Sequence, residues 1–334
     1  MRRLCLAAAA ACLLLLAACA GPESWEREIL AMDTVMKLTI YGENAPQAGE
    51  AAVDRIQELE GLLSVTGEDS EIYAANHTGS AQLSPDAAAL LARALTLCRE
   101  TGGALDVTIY PVVRAWGFTT GAYRVPDDGE LTALLERVDY RQAALEGDRL
   151  TLPEGVELDL GAVAKGYTGD QLMALLAREG IASAIVELGG NVQALGAKPD
   201  GSPWRVALQA PEGGYAGVLE IVDKAVVTSG GYQRYFEQDG EIYWHIIDPA
   251  QGRPARSGLQ SVTIVADEGT LCDGLSTALF VMGREEALDF WRTRNDFECV
   301  LISEDNTVAI TEGLEESFSL YGDWEGRALE IIRR

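Results

Sequence analysis

Four short stretches of the chain carry side chains able to do chemistry. In T-L-C-D-G-L-S-T-A-L-F, Asp273 and Thr277 stand four apart, so a helix puts a carboxylate and a hydroxyl on one face. That pair suits a hard divalent cation that keeps its other positions for water and a substrate phosphate. A polar helix face with the threonine bonded to its own backbone is the structural alternative. In L-D-L-G-A-V-A-K-G-Y, Leu158 to Tyr167, a strand delivers Asp159, Gly161 permits a tight turn, and a helix starts near Ala162 with Lys165 in its first turn. Helix N-termini attract phosphate, and a lysine that early opposes the helix dipole; a solvated lysine on an ordinary strand–turn–helix is the alternative. In W-H-I-I-D-P, His245 ends an aromatic strand just before a turn. An imidazole titrating near neutrality can take a proton from a hydroxyl nucleophile there, or can sit half-buried and satisfied. In G-G-A-L-D-V-T-I-Y-P-V-V-R-A-W-G-F, Gly102 to Phe118, two glycines let backbone approach a flat ligand, and Asp106 could bind ribose or ring polar atoms. A helix stop followed by a strand explains those glycines but not a polar Asp106 in an apolar run.

Other chemistries are excluded by absence. The sequence has no P-loop, no HExxH, no GxSxG and no GxGxxG after a strand. It has two histidines, His77 and His245, too few for a His-rich zinc or copper site. A bound metal must therefore use oxygen ligands, which favours Mg²⁺ or Ca²⁺.

The elements that must position these residues follow from periodicity. Glu26 to Tyr41 reads as one strand, with Met36, Leu38 and Ile40 alternating. Ala48 to Leu63 reads as an amphipathic helix. Ser84-Pro85-Asp86 opens a helix that Gly102 closes. Glu130 to Val138 reads as helical, Ala143–Leu152 as a hairpin turning at Gly147-Asp148, and Val156 to Leu160 as a strand feeding a helix that ends at Arg178. Ala184 to Leu188 is a strand, strands follow from Trp204 to Ile247 and at Ser261 to Val265, and Leu271–Met282 and Arg284–Arg294 are helices. Strands and helices mix without a regular βαβ period, so the expected class is α+β. No Pro- or Ser-rich linker divides the chain.

Composition bounds the partners. The 334 residues hold 26 Lys+Arg against 52 Asp+Glu, a formal charge of −26, so no nucleic acid is expected. With 48% hydrophobic residues the chain can build a sizeable core. The acidity also means that a phosphorylated ligand needs a local cation.

The N-terminus reads as an address. Arg2 and Arg3 precede an apolar run from Leu4 to Ala18, a length that fits a signal segment better than a spanning helix. The run ends L-A-A-C at Cys19, similar to a bacterial lipobox, so residues 1–18 are expected to be a lipoprotein signal peptide and Cys19 the lipidation site. A plain secretory signal cut after Ala18, or a short anchor, is the alternative. Residues 19–26 are then a short linker and residues 27–334 the folded unit. The expected location is the extracytoplasmic face of a bacterial membrane, through a lipid anchor. Cys98, Cys272 and Cys299 remain, with no CxxC; they read as buried free thiols, with one disulfide as the alternative.

The order of the blocks resembles the ApbE family, the FAD:protein FMN transferases. The matching pieces are M-D-T at Met32, D-S-E-I at Asp69, the Gly102–Phe118 and Leu158–Tyr167 stretches, E-L-G-G-N at Glu187, T-S-G at Thr228, H-I-I-D-P at His245 and C-D-G-L-S-T-A-L at Cys272. The resemblance implies one compact two-part α+β unit with a central FAD cleft. It implies FAD contacts at Met32, Ala104, Leu105, Asp106, Asp159, Lys165 and Ile247. It implies Mg²⁺ ligands at Asp273, Thr277 and the carbonyl of Ala162, and proton removal by His245. The implied reaction moves FMN from FAD, a substrate, to a Thr or Ser hydroxyl of an exported electron-transfer flavoprotein subunit and releases AMP. Water in place of that hydroxyl would make the protein a Mg²⁺-dependent FAD pyrophosphatase, and no turnover at all would make it a flavin-binding lipoprotein. Thr66 stands where many members carry an aromatic residue, and Gln251-Gly252 replaces the usual T-G after the D-P turn.

Overall fold

A computed structural model describes residues 23–334. The signal segment 1–18, Cys19 and the start of the expected linker lie outside the described residues. Ser24–Glu26, read as linker, already belong to a strand, Ser24–Ala31. Among the described residues no helix is long and apolar enough to cross a membrane.

The architecture is α+β. Its frame is a nine-stranded sheet that begins with the hairpin Ser24–Ala31/Thr34–Tyr41 and continues through Ser183–Leu188, Asn191–Leu195, Ala225–Gly230, Leu259–Ala266, Phe297–Ser303, Val308–Thr311 and Leu329–Ile332. Every neighbouring pair is antiparallel except the last. Alternation along its strands feeds two cores. Ala225 and Val227, Ile264 and Ala266, and Cys299 and Leu301 face a helical layer. Val226, Val265, Val300 and Ile302 face a three-stranded sheet of Phe318–Leu320, Tyr215–Ile221 and Trp204–Gln209. Cys98, Cys272 and Cys299 are buried free thiols.

Two local expectations change, and one structural alternative fails. The single strand read over Glu26–Tyr41 is a tight hairpin: Met32 and Asp33 both take positive φ (49° and 58°), the signature of a two-residue turn that twists with its strands. This turn lacks the Asn-Gly or Asp-Gly that normally announces its type, so the alternation runs through it. Val156–Leu160 is extended but not a ladder strand. Asn76 holds it instead, accepting from Leu158 N–H (2.7 Å) and donating to Leu158 O (2.9 Å), with Asp159 N–H on Val107 O (2.7 Å). After Gly102 and Gly103 the chain makes no strand but an irregular loop and a short helix, Tyr110–Ala115.

The contact that positions the site joins two helices, Ala164–Arg178 and Gly269–Met282. A Cβ on Gly166 would stand 2.2 Å from Gly269 O and 2.8 Å from Asp273 Cβ; one on Gly269 would stand 1.7 Å from Gln193 Nε2. Only glycine permits this approach. Gln193 Nε2 donates to Gly166 O (2.9 Å). Asp170, on the first helix, caps the second: its carboxylate accepts from Gly269 N (2.6 Å), Thr270 N (2.8 Å) and the Thr270 hydroxyl (2.6 Å). Removing it leaves three donors without an acceptor. Asp170→Ala is expected to lower unfolding free energy by about 1–3 kcal/mol, read as a reduced urea midpoint; an unchanged midpoint would show that water replaces the cap at no cost.

Candidate active site

One cavity of about 500 Å³ gathers every residue singled out above from Met32 to Thr277. Met32, Ala104, Leu105, Asp106, Asp159, Ala162, Lys165, His245, Ile247, Asp273 and Thr277 all line it. Cys19, the remaining candidate, lies outside the described residues. His77 is elsewhere, stacked on Tyr73 at the end of the helix Glu71–Thr78.

Asp273 lines the cleft, 5% exposed, and accepts the N–H of Gly166 at 2.8 Å. The first turn of the lysine helix therefore spends a donor on this carboxylate instead of leaving it free for phosphate. Burial raises the Asp273 pKa, and the Lys165 ammonium pulls it back. Thr277, one turn along, has its hydroxyl 3.4 Å from Ser229 Oγ, itself 2.8 Å from Ser276 Oγ. Ser276 donates to the Asp273 carbonyl (2.8 Å). That acceptor fixes the chain's direction: Ser229 donates to Ser276 and Thr277 to Ser229, which leaves the Thr277 lone pairs for the cleft.

The donor set fits a hard cation. A buried carboxylate and a threonine hydroxyl with directed lone pairs are oxygen ligands, and Ala162, whose carbonyl would complete the set, lines the same cavity. The balance of charge points the same way: Asp33, Glu60, Asp106, Asp159 and Asp273 face the cavity against Lys165 and Arg234. Asn191, 3% exposed, lines the same space beside Asp273, whose pKa its side chain helps to lower.

His245 follows the strand Glu241–Trp244 and packs edge-on against Phe118, with 6.4 Å between ring centroids. Its Nδ1 lies 3.1 Å from Arg234 O. A carbonyl only accepts, so Nδ1 carries the proton and Nε2 keeps its lone pair. Burial lowers the pKa to about 4, and the charges of Arg234 and Lys165 push the same way. The imidazole is thus held neutral.

Two acids do structural work. Asp106 is buried and accepts from Thr108 N (2.8 Å), the Thr108 hydroxyl (2.6 Å) and Tyr140 N (2.9 Å); burial raises its pKa and those bonds lower it. It organises the irregular loop that carries Ala104 and Leu105. Asp159 accepts from Gly161 N (2.7 Å) and shapes the turn before Lys165; burial raises its pKa. Met32, at the hairpin turn, is tied by its N–H to Glu60 Oε1 (2.6 Å). Thr66 is exposed at the rim.

Sequence reasoning missed Arg234, Asn191, Ser229 and Glu60. Asn191 and Ser229 lie in blocks quoted above, E-L-G-G-N and T-S-G, where position alone separates a lining residue from its neighbours, and Arg234 follows the second block by four residues. Glu60 sits in an amphipathic helix and carried no signal.

Comparison with known proteins follows the same lines. The ApbE family model matches residues 32–301. A FAD:protein FMN transferase of Treponema pallidum is 34% identical over 316 residues, 87% of each chain. One from Vibrio cholerae is 38% identical over 250 residues, 72% of this chain and 75% of that one. The crystal structure of the ApbE protein of Thermotoga maritima superposes with a TM-score of 0.82 at 30% identity, over 87% of this chain and 98% of that one. The apo flavinyl transferase ApbE of Pseudomonas stutzeri gives 0.81 at 28%, over 90% and 98%. The chain belongs to the ApbE family.

Proposed function

We propose that the protein transfers FMN from FAD to a serine or threonine hydroxyl of an acceptor protein. The observation that carries this reading is one cleft holding a neutral imidazole of fixed tautomer, an oxygen cation site and a lysine; relatives of the chain are named for the same reaction. The acceptor oxygen attacks the flavin-side phosphorus, the P–O bond to the AMP half breaks, and AMP leaves with the bridging oxygen. His245 Nε2 takes the hydroxyl proton. Lys165 and Arg234 supply the local positive charge that an acidic chain otherwise lacks for a pyrophosphate. Asp273, Thr277 and the Ala162 carbonyl would hold Mg²⁺, which when bound neutralises charge on the phosphate oxygens. Leu105, Ile247 and Phe118 give the cleft its apolar surface for a flat ring. We further propose that the acceptor is an exported flavoprotein subunit and that lipid on Cys19 tethers the enzyme at the extracytoplasmic face of the membrane.

The exposed Thr66 favours a second reading. A small polar residue at the rim leaves the cleft open to water, and FAD hydrolysis to FMN and AMP then competes with transfer.

The assay is purified protein with FAD, Mg²⁺ and an acceptor domain, followed by mass spectrometry. An FMN-sized adduct on the acceptor is expected, absent with chelator or in Asp273→Ala. Release of FMN and AMP without any adduct would replace transfer by hydrolysis. His245→Ala is expected to reduce the rate by about 10²–10⁴-fold while FAD binding persists.

The depressed His245 pKa gives a pH prediction. Between the ordinary 6.5 and about 4 the unfolded chain takes up a proton that the folded chain refuses, so this residue lowers stability as pH falls through that window. In the ligand-free protein its NMR titration midpoint should lie well below 6.5. A midpoint at or above 6.5 would show that the ring is solvated and not held neutral.

A further inference from the structure

A second cavity of about 450 Å³ opens beside the first and shares Thr228 and Gln233 with it. Its floor includes Val192 and Val226, which pair across neighbouring strands of the main sheet. One wall is Val206, Ala207, Leu208 and Gln209, four consecutive residues of the strand Trp204–Gln209. A strand showing one face contributes alternate residues; four in a row mean that its backbone edge faces the space. That strand is the outer strand of the three-stranded sheet.

The direction of its free hydrogen-bonding groups follows from its neighbours. In the middle strand, Glu220 N–H donates to Ser317 O (2.8 Å), and Ala216 O accepts from Tyr321 N–H (3.1 Å). Residues 216, 218 and 220 thus turn their backbone groups away from the outer strand, and 217, 219 and 221 turn theirs to Leu208, Val206 and Trp204. Arg205 and Ala207 are left with N–H and C=O pointing out of the sheet. Gln209 follows the same parity: its outward carbonyl accepts from the Tyr232 hydroxyl (3.1 Å). Side chains of 205, 207 and 209 are exposed and those of 204, 206 and 208 buried, as a sheet edge with one covered face requires.

A free edge is normally blunted or covered. Two such devices are present, the charge of Arg205 and a register shift between Leu208 and Gln209, but the strand has no proline and no lysine, and its open side runs into the cleft that must admit a polypeptide hydroxyl. We infer that it is the docking rail for the acceptor: an extended segment of the acceptor protein pairs with Arg205 and Ala207 as an added strand, lies over Val192 and Val226, and passes Thr228 and Gln233 to present its serine or threonine to His245. The inference rests on the FMN-transfer reading and deepens it. Main-chain pairing places a segment without reading each side chain, so such a rail fits acceptors that share a short motif and little else.

The test uses Ala207→Pro, which removes the outward N–H but touches no bond of the ladder to the middle strand. The probe is a soluble domain of an electron-transfer flavoprotein subunit, the acceptor class named above. With FAD and Mg²⁺, the variant's kcat/KM for that domain should fall at least tenfold, chiefly through KM, while its FAD dissociation constant and Tm hold. In the wild type, hydrogen exchange of the Arg205 and Ala207 amides should slow when the acceptor domain saturates the protein. Wild type that flavinylates the domain with residues 205–209 unprotected, or a variant with unchanged acceptor KM, overturns the rail. Wild type that transfers no FMN fails the functional reading instead. Should the variant not fold, the exchange measurement decides alone.

Discussion

The site depends on the contact between Gly166 and Gly269. Two helix N-termini meet there closely enough that one donates an N–H to the other's carboxylate: Gly166 to Asp273 at 2.8 Å. Each end carries a positive partial charge, so bringing them together is unfavourable unless anions intervene. Asp170 and Asp273 intervene, one capping the second helix from the first and one capping the first from the second. The exchange is reciprocal, and it fixes Lys165, Asp273 and Thr277 relative to one another before any ligand arrives. Catalytic constellations on helix ends held this way need little reorganisation.

The charge problem posed by the composition has a local solution. A chain with 52 acids and 26 basic residues repels a pyrophosphate at long range. Inside the cleft Lys165 acts on Asp159, Asp273 and His245 at once, lowering the pKa of each. It opposes the burial that disfavours the ionised carboxylates and adds to the burial that holds the imidazole neutral. These are the states that cation binding and proton removal require. A single ammonium at a helix start, unfavourable for the helix itself, is accounted for by that triple duty.

Much of this was readable in the sequence and some was not, for definite reasons. Asp273 and Thr277 are four apart in a helix, so their shared face follows from 3.6-residue periodicity. The turn and helix around Lys165 were visible through their glycines. The hairpin at Met32–Asp33 was hidden because a non-glycine turn with positive φ leaves the alternation of its strands unbroken, and tertiary support from Glu60 cannot be seen locally. Val156–Leu160 looks like a strand because it is buried and extended; its partner is the side chain of Asn76, which no strand pattern announces. Asp106 was read as a ligand group because a carboxylate in an apolar run is conspicuous. Its oxygens accept two donors from Thr108 in its own loop and the N–H of Tyr140 from a distant segment. A buried acid can thus mark a site by building its wall.

On the proposed mechanism transfer and hydrolysis would share every group at the phosphorus, so the difference between them would lie in what approaches His245. Water reaches an open rim unaided, and Thr66 does nothing to exclude it. A polypeptide hydroxyl competes with water at tens of molar only if it is held in place, and an oriented reactant can gain an effective concentration of about 10⁵–10⁸ M. Holding requires contacts away from the phosphorus. The side groove and its unpaired edge provide them on the one side of the cleft where Thr228 and Gln233 connect the two spaces. The preference for protein over water would then be set by the docking of the chain that carries the hydroxyl, with the same base, lysine and cation site serving both reactions.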